Sequence, residues 1–151
     1  MRLTIFMLVG ILLLSPSGAV CSGNGGRTYG DLEGVVYRGN HDGDTIRFDI
    51  PGVHPLFGEN IPVRVRGMDA PEIRAHCPLE KERAVRAREM VRERLSKAAR
   101  ITLVEMGRDK YFRIVARVVA DGVDVGEMLL RAGLAVPYDG GRKNMDWCET
   151  R

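Results

Sequence analysis

Ile61-Pro62-Val63-Arg64-Val65-Arg66-Gly67-Met68 alternates apolar Val63 and Val65 with Arg64 and Arg66, and the alternation stops before Leu79. A period of two marks a strand with one polar face, so these arginines share a face. From Leu79 to Ala99 the period lengthens. Ala84, Ala87, Val91, Leu95 and Ala98 recur at spacings of three and four, one apolar stripe of an amphipathic helix. Upstream of this switch, Gly34 to Arg38 and Thr45 to Ile50 are β-branched and aromatic runs around the polar turn Gly39-Asn40-His41-Asp42-Gly43-Asp44. They predict two antiparallel strands. A loop rich in Pro and Gly, Pro51 to Asn60, leads to the third strand. Downstream, Arg100 to Glu105 and Arg113 to Val119 return to strand patterns, and Asp121-Gly122 ahead of Val123 is a favoured two-residue hairpin turn. Asp124 and Glu127 are spaced as a capping box for a short helix that Gly133 stops. The expected fold is mainly β with helices: a five-stranded OB-fold barrel with a helix between strands 3 and 4 and a short C-terminal helix. Such barrels often bind oligonucleotides, but fold alone does not give function.

With 151 residues the chain has room for one domain and one core, and a monomer is expected. Arg2, the apolar run Leu3 to Leu14, and Ser15-Pro16-Ser17-Gly18-Ala19 have the n-region, h-region and small-residue cleavage pattern of a secretory signal peptide. The run is short of the roughly 20 residues a membrane-spanning helix needs, so a membrane span is the weaker reading. Residues 1–19 are therefore expected to be removed on export to the periplasm or the exterior. A glycine-rich, flexible lead-in (20–33) and one domain (34–151) would remain. Cys21 lies just behind the apolar run, where it is free, removed or the anchor point of a lipid. Cys77 and Cys148 would mature where thiols oxidise, and a disulfide between them is the default. Without a CxxC pair or nearby histidines they lack zinc-ligand spacing.

From residue 20 onward, 22 basic side chains stand against 20 acidic ones, so bulk charge says little about partners. Between Lys81 and Arg100, eight Lys or Arg face three Glu, which reads either as a phosphate-attracting face or as a solvated helix surface. Acids and arginines concentrate in three segments: His41-Asp42-Gly43-Asp44-Thr45, Arg64 to Glu72, and Asp109-Lys110-Tyr111-Phe112-Arg113. Each alone reads as a turn, a cap or an exposed charge.

Together, and in this order, these segments resemble the D-G-D-T, R-x(4)-D-[TA]-P-E and D-K-Y-x-R motifs of the staphylococcal nuclease family, with similarity from about Val35 to Tyr138. The resemblance implies a Ca²⁺-dependent nuclease acting on DNA and/or RNA. Asp44, Asp69 and the carbonyl of Ala70 would hold one Ca²⁺, an ion that takes hard oxygens in flexible geometry. Glu72 would be the general base, and Arg64 and Arg113 would clamp the phosphate with their planar forks. In the family the bond to the 5′ oxygen breaks, leaving 3′-phosphates. Tyr111 and Tyr138 lie where the family places tyrosines beside the substrate, to stack on a base or touch a phosphate, and packing is the plainer alternative. Asp42 reads as a carboxylate that supports the metal ligands from behind or shapes the turn, rather than as a direct ligand. Ala70 replaces a common Thr, and Phe112 a common Gly.

The rival reading is a non-catalytic OB-fold module that binds single strands. It gives no reason for Asp44, Asp69 and Glu72 to lie beside a phosphate, which they would repel. No base-reading motif is present, so low sequence specificity is expected.

Overall fold

A computed structural model describes residues 27–143 and 145–149. The signal-peptide reading of 1–19 and the possible anchor at Cys21 lie outside these residues. No helix among the described residues is long and apolar enough to cross a membrane.

The β-branched runs form β1 (Leu32–Glu33), β2 (Val36–Asn40), β3 (Thr45–Asp49), β4 (Ile61–Val65) and β5 (Met68–Asp69). They are followed by β6 (Ile101–Arg108), β7 (Ile114–Ala120), β8 (Val123–Asp124) and β9 (Val136–Pro137). The main sheet runs β1-β6-β7-β4-β3-β2, with β8 on β7, and β5 pairs with β9 separately. β4 and β7 are parallel, with Arg64 beside Val115, while the other pairings are antiparallel. The five longer strands are β2, β3, β4, β6 and β7, and the long helix α2 (Pro78–Ser96) falls between the third and fourth of them. The sheet curls into an OB-fold-like half-barrel, the expected architecture.

The core fills the concave side. Ile46, Phe48, Val63, Val65, Leu103 and Val118 are fully buried on the strands, and Ala84, Ala87, Val91 and Leu95 of α2 close over them. Each large apolar side chain so buried contributes about 1.5–3 kcal/mol. Four of the five stripe positions are thus buried, and Ala98, beyond the helix end, packs against the core from partial exposure.

Local departures from the expected boundaries have physical causes. The strand expected over 61–68 breaks at Gly67, whose φ of 80° turns the chain out of the main sheet, so that Met68–Asp69 pairs with β9 instead. A short helix, α1 (Pro55–Gly58), sits inside the expected loop. His54 caps it by accepting a hydrogen bond from Leu56 N–H, and four residues are too few to show a period. β6 runs on to Arg108 through a register shift between Val104 and Gly107 that hides its alternation. At the N-terminal side, Leu32–Glu33 pairs with β6, so the last residues of the lead-in are paired. Asp121 and Gly122 form the β7–β8 turn, both at positive φ. Asp124 caps α3 (Val125–Arg131) by accepting from Glu127 N–H, while the Glu127 carboxylate pairs with Arg131.

Candidate active site

The turn between β2 and β3 carries the first acids. Asp42 faces inward, where its Oδ1 accepts from the N–H groups of Asp44 (3.2 Å) and Thr45 (2.8 Å), so it shapes the turn. Gly43 wedges the turn against α2 and residue 70. A Cβ there would lie 2.9 Å from the Ala87 Cβ and 3.0 Å from the Ala70 Cβ. Asn40 bridges the Asp42 carbonyl and the Arg88 carbonyl of α2, fixing the turn to the helix.

The register places Thr45 opposite Arg64, and Val65 N–H donates to the Asp44 carbonyl at 2.8 Å. Arg64 is thereby set between two carboxylates, paired with Asp44 through Nη1 and with Asp69 through Nη2, the latter at 2.7 Å. Ala70 N–H donates to Asp44 Oδ2 at 3.1 Å, which brings the second segment onto the first. Asp44 is 1% and Asp69 3% exposed, and Pro71 behind them is fully buried. Burial pushes the Asp44 carboxyl up to about 7; Arg64 opposes that shift and Asp42 adds to it. Burial works against the Arg64 charge, but Asp44 and Asp69 outweigh it and raise its pKa.

Glu72 stands at the mouth, about half exposed. Its N–H donates to Glu80 Oε1 at 3.2 Å, and its carboxylate accepts from Lys143 Nζ at 2.8 Å. The same ammonium lies 2.9 Å from Asp69. Burial works to lower the Lys143 pKa, yet its bonds to Glu72 and Asp69 raise it well above the usual lysine value. Lys143 thus bridges the two carboxylates that the sequence reading assigned to metal and base. That reading missed it, because a lone lysine in a polar C-terminal stretch carries no pattern.

Arg113 and Tyr111 lie on the β6–β7 loop, one step before the strand that runs beside β4. Asp109 holds that loop. It accepts from the N–H groups of Tyr111 and Arg113 through Oδ1 and from the Arg113 guanidinium through Oδ2 at 2.7 Å. Burial would raise the Asp109 pKa, but these bonds from Arg113 and Tyr111 lower it. Among the described residues Arg113 pairs with Asp109, not with Arg64's acids. Tyr138 follows β9, its N–H bonded to the Gly67 carbonyl and its hydroxyl to the Gly141 carbonyl. It lines an open cleft of about 650 Å³ with Gly67, Asp69, Arg142 and Lys143.

Cys77 and Cys148 are bonded, with Cα atoms 5.9 Å apart. The bridge fixes the C-terminal segment to the start of α2, and Lys143, five residues before Cys148, reaches Glu72. Cys77, Glu80 and Cys148 approach one another closely, but both sulfurs are consumed by the bridge.

Asp44, Asp69 and the Ala70 backbone offer hard oxygen donors, and the two buried acids face one partly exposed arginine between them. That donor set suits a divalent cation of the Ca²⁺ or Mg²⁺ type and lacks the soft ligands zinc prefers. A curled β half-barrel with an acidic, arginine-bridged cleft at its strand ends defines an OB-fold-like domain built around an oxygen-lined charged centre. Residues 62–147, more than half the chain, match the family of staphylococcal nuclease homologues, and the chain belongs to that family. A probable endonuclease of Schizosaccharomyces pombe (strain 972 / ATCC 24843) is 33% identical over 137 residues. The match takes in 76% of this chain and 59% of the relative. The chain therefore spans well under two thirds of that protein's length.

Proposed function

We propose that this protein is an exported, calcium-dependent nuclease that hydrolyses phosphodiester bonds in DNA and/or RNA with low sequence specificity and leaves 3′-phosphates. One observation carries the reading: Asp44 and Asp69 converge on Arg64, with Glu72 alongside, in a member of a nuclease family. Ca²⁺ held by Asp44, Asp69 and the Ala70 carbonyl would neutralise phosphate charge and polarise a bound water. Glu72, on a backbone fixed by the buried Pro71, accepts the water's proton. Arg64, set between the two acids, would offer its fork to the phosphate, and Arg113 supplies a second fork held in place by Asp109. These contacts are to phosphate, which supports low sequence specificity. The leader pattern at residues 1–19 and the Cys77–Cys148 bridge support export.

The test is degradation of single- and double-stranded DNA and of RNA by the purified protein, in Ca²⁺, in Mg²⁺ and in chelator, with end-group analysis of the products. Cutting that needs Ca²⁺ and leaves 3′-phosphates is expected. Tight binding with no cutting in any cation would instead identify a non-catalytic binding module.

A further inference from the structure

The β6–β7 loop carries two aromatic rings in solvent, Tyr111 at 69% and Phe112 at 75% exposure. Cations lie over both. The Arg108 guanidinium is 4.4 Å from the Phe112 ring centre, and Lys110 and Arg113 lie 5.2 and 5.5 Å from that of Tyr111. Phe112 also sits at φ 65°, a conformation that a bulky aromatic rarely adopts and that glycine takes without cost. Of the other non-glycine residues at positive φ, Asn60 and Asp121 are of types that tolerate it, and Glu105 lies in the register shift of β6. Phe112 is held there from several sides: its N–H donates to the Asp109 carbonyl, its own carbonyl accepts from Arg108, and Asp109 pins the residues on either side. A ring this exposed buries little apolar surface to offset the backbone strain. Strain at such a site points to a role in binding.

We propose that Phe112 is a specificity-determining residue, pairing with Tyr111 as a platform on which an unpaired base of single-stranded nucleic acid stacks beside the cleavage site. The proposal deepens the nuclease reading and rests on it for the identity of the ligand. Arg108 covers part of the ring, and the high exposure of Phe112 leaves room for a base. The three cations around the rings match the charge of the flanking phosphates. Duplex hides its base faces, so the platform discriminates by strandedness.

The test uses fluorescence anisotropy with a labelled oligothymidylate and a hairpin duplex, both in chelator so that nothing is cut. Phe112→Gly and Phe112→Ala are expected to weaken oligothymidylate binding about 5- to 100-fold, the range for loss of one base–aromatic stack, with duplex binding unchanged. Phe112→Trp should restore it. Because no charge is removed, the salt dependence of binding should keep its slope. Phe112→Gly should melt no lower than the wild type, since glycine relieves the strain. Unchanged oligothymidylate binding in both small variants, equal losses for duplex, or failure of Trp to restore binding would overturn the proposal. Cutting assays separate the two ideas: a chain that never cuts but shows this binding pattern loses the nuclease reading and keeps the platform.

Discussion

Asp69 is held by two cations from different parts of the chain, Arg64 from β4 and Lys143 from the C-terminal segment, and Glu72 shares the second. Residues at this scale act through charge and reach. Glu72→Gln keeps the shape of the side chain and removes its basicity, and Arg113→Ala removes a clamp that is paired with Asp109 and lies over the Tyr111 ring. Each is expected to cut nuclease turnover by roughly 10²-fold or more with the circular dichroism unchanged. Near-normal rates in either folded variant would remove its assigned role. Lys143 competes for the carboxylates that a divalent cation would use. Its side chain is 46% exposed, so solvent screens the contact and the competition is modest. Lys143→Ala should tighten Ca²⁺ or Tb³⁺ binding by roughly 2- to 5-fold, the scale of a part-exposed ion pair. Terbium luminescence titration of the two proteins reads this directly, and unchanged or weaker binding would refute the competition.

Elements matter here through how closely they approach. The turn from β2 to β3 lies against α2 because residue 43 has no side chain, and because Ala70 and Ala87, on either side of it, are small. Gly43→Ala would put a methyl group 2.9 Å from Ala87, closer than side chains approach, and backbone must shift to admit it. Overpacking of this kind costs about 1–3 kcal/mol. The displaced turn would also carry Asp44 away from Asp69, so Gly43→Ala should lose cation affinity as well as melting temperature. Calorimetry in chelator and in Ca²⁺ separates the two effects. A variant that binds Ca²⁺ as the wild type does would show that the turn is not held by this contact. The β6–β7 loop is fixed in a different way, by one carboxylate, Asp109, accepting from both backbone and guanidinium.

For the whole molecule, the site is a store of destabilising charge. The folded state raises the Asp44 carboxyl from 3.8 to about 7, so a proton binds more tightly in the fold than in the unfolded chain. That contribution to stability is complete below about pH 4 and is lost as pH rises through about 7. In chelator, Asp44→Asn should match the wild type near pH 4 and exceed it increasingly toward pH 8, by up to a few kcal/mol. Urea melts at several pH values measure the difference, and a gap that does not widen with pH would contradict it. The Cys77–Cys148 bridge acts on the other side of the balance, closing a separation of 71 residues. The chain-entropy model puts its contribution at about 4 kcal/mol. Reductant, or Cys77→Ser with Cys148→Ser, should lower the denaturant midpoint markedly, and an unmoved midpoint would show that the bridge adds nothing.

Period and composition determined the order of strands and helix on their own. The alternation of Val63 and Val65 with Arg64, and the stripe Ala84, Ala87, Val91 and Leu95, register burial residue by residue along one element. The three motif segments likewise marked out Asp44, Arg64, Asp69, Glu72 and Arg113 as candidates, since each motif is contiguous in the chain. Only the tertiary structure decided which of these meet. Arg64 spans Asp44 and Asp69 because β3 and β4 pair in one register, whereas Arg113 is held by its own loop. Lys143 reaches Glu72 across 71 positions, and nothing local in its stretch signals that contact. The positive φ at Phe112 had one sign in the sequence, the glycine common at that place in the resembling family, but the bonds that hold a phenylalanine there had none. A backbone conformation forced by Asp109 and Arg108 depends on bonds between side chain and main chain, and hydrophobic periodicity does not register those.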